Sequence, residues 1–255
     1  FVASRILEGV LETQPQSLLA HRSGRELDAL LWANANVVPV ETTSLSRGEF
    51  VDRLRRGRRR CASILGPRDQ VEPIWSLVEP LWGGAREIRG SQPLCVTSTP
   101  PSALGVPLEP RVRRAQVEEA ELVLPAAEHM FTHEIGYPPY TGSPRAYLAS
   151  IAAMIRRGHT YIATDTAPDG SERVIFKTDI GSAALGCVQV QGVWLAPDLR
   201  GRGYAVPLIA AAVEQIMCDV GQLVTLYVND FNLAARAAYR RVGFVEAGEF
   251  MTVLL

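Results

Sequence analysis

The stretch LRGRGYAVPLI, residues 199–209, places two arginines and two glycines between a strand-like run and a long apolar helix. About four amide N–H groups at a helix N-terminus lack partners within the helix, and the helix dipole adds roughly half a positive charge there. Gly201 and Gly203 allow a tight turn that lets the backbone approach an anion, while Arg200 and Arg202 add charge. This pattern predicts a phosphate site, although a turn that only connects two elements has the same composition.

A second group of candidate residues lies further along the chain. The stretch LYVNDFNLAARAAYRRVGF, residues 226–244, places Asn232, Ala235 and Tyr239 at spacings of three and four and ends on a Gly-Phe pair. Asn232 suits a helix N-cap. Tyr239 suits either a core position on an amphipathic helix or a proton donor, since a phenol has a pKa of ~10.

With these two motifs in this order, residues 111–255 resemble the GNAT superfamily of acyl-CoA-dependent N-acyltransferases. Arg200, Gly203 and Ala205 match the family's R/Q-x-x-G-x-G/A pyrophosphate motif, and GVWLAPDLRGRGYA resembles its fourth strand and loop. The resemblance implies an α/β fold, of the α+β kind with a central mixed sheet. In that fold two parallel strands splay apart around the pantetheine arm of the cofactor, acetyl-CoA.

The resemblance also implies which residues bind the cofactor. Val193 and Leu195 are expected to bind the pantetheine arm through their main chain, with Asn232 and Ala235 beside it. The pyrophosphate is expected on the amides of Arg200, Gly201, Arg202, Gly203, Tyr204, Ala205 and Val206. Tyr239 is expected to be the general acid that protonates the departing thiolate.

The general base is harder to identify. In many members of the family a glutamate on the fourth strand takes the proton through water, whereas Gln189 and Gln191 occupy that stretch here. A glutamine carboxamide is not a useful proton acceptor. Glu134, on the helix expected to line the acceptor groove, is the predicted substitute, with His133 behind it. An ordinary surface carboxylate is the alternative.

A metal site is not expected. His129 and His133 stand four residues apart, as zinc ligands on a helix do, but no third ligand is evident. The four cysteines have no C-x-x-C spacing and are predicted to be reduced thiols: Cys61, Cys95, Cys187 and Cys218.

Composition limits the partners. A net charge of −1 gives no electrostatic case for nucleic acid or an anionic membrane, and no apolar run approaches the ~18–20 residues that span a bilayer. The arginine-rich stretch RLRRGRRR, residues 53–60, is interpreted as the solvated end of a helix. We therefore expect a cytoplasmic protein, monomer or homodimer, with a small-molecule or peptide amine as acceptor.

The expected activity is transfer of acetyl from acetyl-CoA to a primary amine by direct attack in a ternary complex. The alternative is a non-catalytic acyl-CoA-binding sensor that keeps the cofactor cleft.

The elements that must position these residues fall into two halves. Residues 1–99 predict a smaller α/β domain, the proline-rich residues 100–110 a linker, and residues 111–255 the acetyltransferase domain. In the first half, strands are predicted at DALLWANANVVPV, CASILG and QPLCVTS. Ser46 and Glu49 predict a capping box for one helix, and Asp69 predicts the cap of another that Pro80 ends.

In the second half, the sequence predicts a helix interrupted by Pro125, a helix over 145–157 and a hairpin around TAPDG. A central strand, a helix from Val206 towards Gly221, a strand, a short helix after Asn232 and a last strand, EFMTVLL, follow. The order of elements in the first half repeats the second half from its fourth strand onward. We therefore predict that the first half is a degenerate copy of the same fold.

The last strand raises a further expectation. The family usually has a hairpin of two strands after the tyrosine helix, whereas one strand-like stretch follows Gly248 here. An apolar edge strand needs cover, because its N–H and C=O groups are otherwise unpaired. We expect a strand of residues 1–99 to pair with or pack over residues 249–255, or a homodimer partner to supply that strand.

Overall fold

The structure is a computed structural model that describes residues 1–56, 59, 61–167 and 169–255. The chain groups into two compact units. The first comprises Phe1–Cys95, Tyr227–Leu233 and Glu246–Leu255, and the second comprises Val96–Leu226 and Ala234–Val245. Two segments from late in the sequence therefore belong to the first unit.

The early part of the chain supplies most of the first unit. Its elements are α1 (Val2–Leu7), α2 (Val10–Thr13), β1 (Leu18–Ser23), β2 (Glu26–Ala33), β3 (Asn36–Val40), α3 (Ser44–Arg56), β4 (Ser63–Pro67), α4 (Arg68–Trp82) and β5 (Glu87–Thr97). The strands β1, β2 and β3 are successive antiparallel neighbours, and β4 lies parallel to β3. The helix α3 is the crossover that parallel neighbours require.

The later part of the chain supplies most of the second unit. Its elements are β6 (Arg113–Arg114), α5 (Ala120–Ile135), α6 (Arg145–Arg156), β7 (Thr160–Thr166), β8 (Glu172–Ala184), β9 (Cys187–Leu195), α7 (Ala205–Asp219), β10 (Leu223–Tyr227), α8 (Leu233–Val242) and β11 (Val245–Leu254). The strands β6 to β9 are successive antiparallel neighbours, and β10 lies parallel to β9 across α7. The predicted mixed sheet with a parallel pair is confirmed.

The two parts of the chain share one order of elements. Three antiparallel strands lead to a helix, a parallel strand, a second helix and a last strand, both in β1–β5 and in β7–β11. This shared order supports the interpretation of the first half as a copy of the second.

The last strand completes the sheet of the first unit. The strand β11 pairs antiparallel with β4, from Phe250 opposite Pro67 to Leu254 opposite Ser63. Val253 is fully buried in the core that this pairing closes. The expected pairing of the last strand with a strand of residues 1–99 is therefore confirmed. Other buried members of this core are Leu31, Val37, Phe50, Ile64, Val71, Ile74, Trp75, Val78 and Met251.

The cap of α3 differs from the prediction. The Ser46 amide donates to Thr43 Oγ1 at 3.3 Å, and the Thr43 amide donates to Ser46 Oγ at 2.8 Å. Thr43 is therefore the capping residue, and the prediction of a capping box from Ser46 to Glu49 was wrong by one turn. Ser46 is fully buried, because its hydroxyl serves the turn before the helix rather than solvent.

Three predictions about the ends of helices and about prolines were also wrong. The helix α4 begins at Arg68 with Asp69 inside its first turn, so Asp69 is not the cap. It passes Pro80 and ends at Trp82, and α5 runs unbroken through Pro125. Both prolines are exposed, so the backbone carbonyl that each leaves without a helical partner can reach water.

Two predictions touch residues outside the described part of the chain. The arginine-rich stretch begins within α3, but residues 57, 58 and 60 lie outside it. The predicted turn between β7 and β8 includes residue 168, which also lies outside it. The hairpin itself is present, since β7 and β8 pair antiparallel from Thr160 opposite Asp179 to Thr166 opposite Glu172.

Candidate functional site

The strands β9 and β10 part soon after they meet. Their parallel ladder joins Leu223 to Cys187 and continues to Thr225 opposite Gln189, three positions in all. Beyond Gln189, β9 continues for six residues to Leu195. The predicted main-chain positions, Val193 and Leu195, lie in this later stretch, where β9 has left the ladder.

A bulge marks the place where β9 changes course. Between Lys177 opposite Trp194 and Asp179 opposite Gln191, β9 has one residue more than β8. Gly192 lies within this bulge at φ 61°, a conformation that favours glycine. A Cβ atom there would lie 3.0 Å from Met130 Sδ and 3.2 Å from Asp179 Oδ2. The bulge is therefore closely packed by α5 and β8.

The glycine-rich loop leads from β9 into α7. Gly201 and Gly203 have φ of 70° and 85°, and open space surrounds the position of a Cβ at both residues. Each glycine is therefore required by backbone conformation rather than by crowding. At the start of α7, Tyr204 occupies the N-cap position without a side-chain capping bond. The first amides of the helix are thus not capped by a side chain, which suits an anion.

The two arginines of the loop bind main-chain carbonyls. Arg200 Nε donates to the Leu195 carbonyl at 3.0 Å, and Arg202 Nη1 donates to the Asp198 carbonyl at 3.4 Å. The Arg202 guanidinium also lies 5.7 Å from the centre of the Tyr204 ring. These contacts hold both positive charges at the loop.

An ion-pair network ties the loop to the sheet. Arg173 on β8 donates to Asp198 Oδ2 and Asp165 Oδ1, at 2.8 Å in each case. The guanidinium of Arg173 lowers the pKa of Asp198. The segment that leads from β9 into α7 is therefore bound by Arg173 of the neighbouring strand, β8.

The helix α8 carries Ala235 and Tyr239. Tyr239 is 7% exposed, and its ring meets Phe244 edge-on with centroids 5.8 Å apart. The helix begins at Leu233, directly after Asn232, where the predicted cap would lie. Ala235 and Tyr239 belong to the second unit, whereas Asn232 is grouped with the first. The roles expected of these three residues stay predictions.

Gln189 and Gln191 occupy the strand stretch where a family base is expected. Both carboxamides fold over Gly181, and a Cβ on Gly181 would overlap both side-chain oxygens. The β8 strand has one additional residue here, between Ile180 opposite Val190 and Ser182 opposite Gln189. The two glutamines are thus packed on a second bulge, and Gln189 Nε2 also donates to the Val190 carbonyl at 3.0 Å.

The predicted base, Glu134, lies in the last turn of α5 and is exposed. It is four residues after Met130, so the two share one face of the helix. Since Met130 packs at the β9 bulge, this face continues from the bulge towards Glu134. His133 is also exposed, and its ring stacks with that of His129 at 6.3 Å.

His129 is held by β9. Trp194 Nε1 donates to His129 Nδ1 at 3.0 Å, so this ring nitrogen serves as an acceptor. Within the described ranges, no group of three or more His, Cys, Asp and Glu residues could hold a metal ion. Nor does any helix of these ranges have the length and apolar character needed to cross a membrane.

Two clusters near the β9 bulge escaped the sequence analysis. Lys177, the sole lysine of the chain, is buried and pairs with the buried Asp179, which also accepts from Thr160 Oγ1 at 2.8 Å. Their alternation within RVIFKTDIG placed both on one face of β8. This alternation was the signal that the sequence offered.

The second cluster combines tyrosines with a glutamate. Tyr140 donates to Glu128 Oε2 at 2.8 Å, and Tyr147 donates to the Ala127 carbonyl at 3.2 Å. Burial, followed by the charges of Asp179 and Glu128, raises the pKa of Tyr147 to about 12. The tyrosines of GYPPYTGSP and of the helix after it were the signal in the sequence.

The corresponding connection in the first unit is filled by its own side chains. Between β3 and α3, Gln70 Oε1 accepts from the Thr42 amide at 2.7 Å, and Arg47 Nη2 donates to the Thr42 carbonyl at 2.8 Å. Together with the reciprocal bonds of Thr43 and Ser46, these contacts occupy the start of α3. This connection therefore differs from the open start of α7.

The sequence model of the acetyltransferase (GNAT) family matches residues 143–244, and that of a domain of unknown function, DUF4081, matches residues 16–123. A Drosophila protein of known structure is 15% identical with a TM-score of 0.64, over 100% of this chain and 88% of that one. A GCN5-related N-acetyltransferase from Sphaerobacter thermophilus is 16% identical with a TM-score of 0.60, over 98% and 88%.

A tandem GNAT protein from the clavulanic acid biosynthesis pathway is 15% identical with a TM-score of 0.56, over 97% of this chain and 86% of that one. At such identities these likenesses show the fold. The family match covers both candidate motifs, from β9 and the glycine-rich loop to Tyr239. Residues 143–244 therefore form a GNAT-family acetyltransferase domain, in a chain whose residues 16–123 match the DUF4081 domain.

Proposed function

We propose that this protein is an N-acetyltransferase that transfers the acetyl group of acetyl-CoA to a primary amine. The observation that carries the proposal is the open start of α7, preceded by two glycines with positive φ and two arginines. The parting of β9 from β10 beside this loop supports it, because a linear cofactor arm can then lie along free main-chain groups.

Each part of the site has a task in this proposal. The amides from Arg200 to Val206 bind the pyrophosphate, and the Arg173 network keeps the loop in place. Val193 and Leu195 bind the pantetheine arm through their main chain, with Ala235 of the same unit alongside. Since Arg200 already donates to the Leu195 carbonyl, we expect the Leu195 amide to be the group that the arm uses.

Proton transfer requires a base and an acid. Acetyl-CoA supplies an activated acyl group as a thioester. Glu134 accepts the proton of the incoming amine, which has a pKa of ~10 and is mostly protonated at neutral pH. Tyr239 donates a proton to the departing thiolate. Its burial beside Phe244 fixes the ring, which suits a group that must act in one orientation.

The test is an assay of thiol release from acetyl-CoA with a panel of amines, together with calorimetry of acetyl-CoA binding. We expect amine-dependent turnover in the intact chain. In Tyr239→Phe, turnover should fall by ~10²–10⁴ while acetyl-CoA binding stays within a few fold, because only the proton donor is lost. Tyr161→Phe, which removes another buried hydroxyl of the same unit, is the matched control. Full activity in Tyr239→Phe would return Tyr239 to the core.

One observation favours a second candidate, an acyl-CoA-binding sensor without turnover. Gln189 and Gln191 replace the strand carboxylate and are packed over Gly181, so no base is available from this part of β9. A sensor would bind acetyl-CoA tightly and release no thiol with any amine. The same assay therefore separates the two candidates.

A further inference from the structure

The helix α5 carries a carboxylate, Glu128, that bonds to a tyrosine rather than to a basic side chain. Six acidic residues of the second unit have a basic partner: Glu109 pairs with Arg111, Glu119 with Arg113, Asp165 and Asp198 with Arg173, Asp179 with Lys177, and Asp219 with Arg114. Glu128 is different. Across the described residues its carboxylate bonds to a neutral group, the Tyr140 hydroxyl, and to no arginine or lysine.

Through Tyr140, this carboxylate joins a cluster of aromatic rings. Phe131 meets Tyr137 and Tyr147 edge-on, with centroids 5.9 Å and 6.1 Å apart, and Tyr140 lies 6.0 Å from Tyr147. Tyr137 is 50% exposed, so the ring cluster reaches solvent. A carboxylate among aromatic faces attracts a cation by two means, direct charge and the negative ring faces.

The cluster borders the β9 bulge. Tyr147 interacts electrostatically with both Glu128 and Asp179, and Asp179 Oδ2 lies beside Gly192. A molecule seated on Glu128 would therefore lie close to the stretch of β9 that runs past the bulge, where the proposed function places the pantetheine arm of the cofactor.

The charge held at Glu128 cannot be that of the reacting nitrogen. A nearby carboxylate favours the protonated form of an amine, whereas the attacking nitrogen must lose its proton. The group that Glu128 holds must instead stay positive throughout the reaction. This requirement separates one cationic group of the acceptor from the nitrogen that is acetylated.

We propose that Glu128, Phe131, Tyr137, Tyr140 and Tyr147 bind a second, permanent positive charge of the acceptor, which is therefore an amine with two basic or cationic centres. This inference rests on the proposed function and names its substrate class. The nucleophilic nitrogen loses its proton and takes the acetyl group from the thioester. The sulfur leaves as thiolate and is protonated, while the second cation remains at Glu128 unchanged.

Two probes of equal shape test the proposal. The first is 4-aminobutyltrimethylammonium, which has one reactive nitrogen and one fixed cation, and the second is 5,5-dimethylhexylamine, in which carbon replaces the cationic nitrogen. We expect kcat/KM for the cationic probe to be at least about tenfold higher, through a lower KM. Glu128→Gln should remove most of this advantage and leave kcat/KM for the neutral probe within about twofold.

Controls and a binding measurement keep the outcome clear. Glu121→Gln changes an exposed glutamate of the same helix and should preserve the preference. Tyr140→Phe keeps the ring and removes the hydroxyl, and serves if Glu128→Gln does not fold. Calorimetry of both probes with the CoA-bound protein measures the site without chemistry. Equal affinity of the two probes overturns the inference, whether or not turnover occurs. Cation-selective binding without thiol release supports the inference and overturns the proposed function.

Discussion

Two tyrosines show how surroundings decide the chemistry of the same side chain. Tyr239 packs on Phe244 at the end of α8, whereas Tyr147 lies near two carboxylates, Glu128 and Asp179. Negative charges and burial both oppose ionisation of a phenol, so Tyr147 keeps its proton and serves as a hydrogen-bond donor. Of the two tyrosines, we assign the proton-transfer role to Tyr239 alone.

The raised pKa of Tyr147 predicts a pH dependence of stability. A pKa of about 12 in the folded protein, against an ordinary value of about 10, means that the folded state binds this proton more tightly. Below pH ~10 the residue adds no pH dependence, and between pH ~10 and ~12 the free energy of unfolding falls as pH rises. We expect urea denaturation of the intact protein and of Tyr147→Phe to show this difference.

In this comparison the stability of the intact protein, relative to Tyr147→Phe, decreases between pH ~10 and ~12. A constant difference over that range would show that Tyr147 has an ordinary pKa. The phenolate absorbance of both proteins, recorded over the same range, assigns the change to this residue.

For single residues, the sequence predicted which ones have a special backbone or chemical role better than it predicted which side chains contact one another. The motif glycines were identified because positive φ is a requirement of the backbone itself, and Gly201 and Gly203 both meet it. The cluster around Glu128 was missed because its members come from α5, α6 and the loop between them. Only the packing of these elements brings the side chains together.

Among the elements, the two connections that lead from a strand into a crossover helix, β3 to α3 and β9 to α7, differ in whether a side chain caps the helix N-terminus. The helix α7 follows two glycines and has no side-chain cap, whereas α3 follows Thr43, which bonds reciprocally with Ser46 in the first turn of the helix. Amides bonded to a side chain are not available to a phosphate. We therefore expect one acetyl-CoA for each chain, bound at α7.

The loop prediction uses glycines of matched geometry. In Gly203→Val we expect the dissociation constant of CoA to rise well over tenfold, because the altered backbone no longer presents its amides to the pyrophosphate. Gly24→Val is the control, since Gly24 has φ 63° and equally open space, but lies between β1 and β2. Calorimetry should give a stoichiometry of one for the control and for the intact chain.

Other results would contradict the element-scale argument. Unchanged CoA affinity in Gly203→Val would remove the loop from the phosphate site. Two equivalent sites in the intact chain would show that α3 binds CoA despite its cap.

The elements themselves followed the sequence closely where hydrophobic periodicity was strong. The strands from β7 to β10 and the helices α6, α7 and α8 lie where apolar patterns placed them. The errors at helix ends came from caps and prolines, which are local signals with several outcomes of similar free energy. Thr43 and Ser46 can each cap a helix, and an exposed proline ends a helix only when packing does not continue it. In the first half, the predicted strand DALLWANANVVPV is two antiparallel strands, β2 and β3.

At the scale of the whole molecule, the chain returns to the first unit twice. The segment 227–233 bonds to β5, with the Val228 amide donating to the Pro93 carbonyl at 3.3 Å, and β11 pairs with β4. Thr252 on β11 also donates to Gln92 Oε1 at 2.7 Å. The sequence predicted this return, because the main-chain groups of an edge strand need partners. It did not predict which strand pairs with β11, since that depends on how both parts of the chain fold.

This return makes residues 105–255 an incomplete folding unit. Without residues 1–104, β11 loses β4, and its core residues Met251 and Val253 are exposed to water. Unpaired N–H and C=O groups beside an apolar face promote aggregation. We expect the isolated fragment to aggregate or to unfold without a cooperative transition in calorimetry and size-exclusion chromatography.

A nicked full-length chain separates the loss of β4 from the mere breaking of the chain. A protease site inserted between the exposed Pro107 and Leu108 cuts the chain but leaves both parts present. We expect the nicked protein to stay folded and to keep its acetyl-CoA binding, because β4 still pairs with β11. If the fragment 105–255 were soluble, monomeric, cooperatively folded and as active as the full chain, the pairing with β4 would be unnecessary for the domain. The first unit would then need a different explanation.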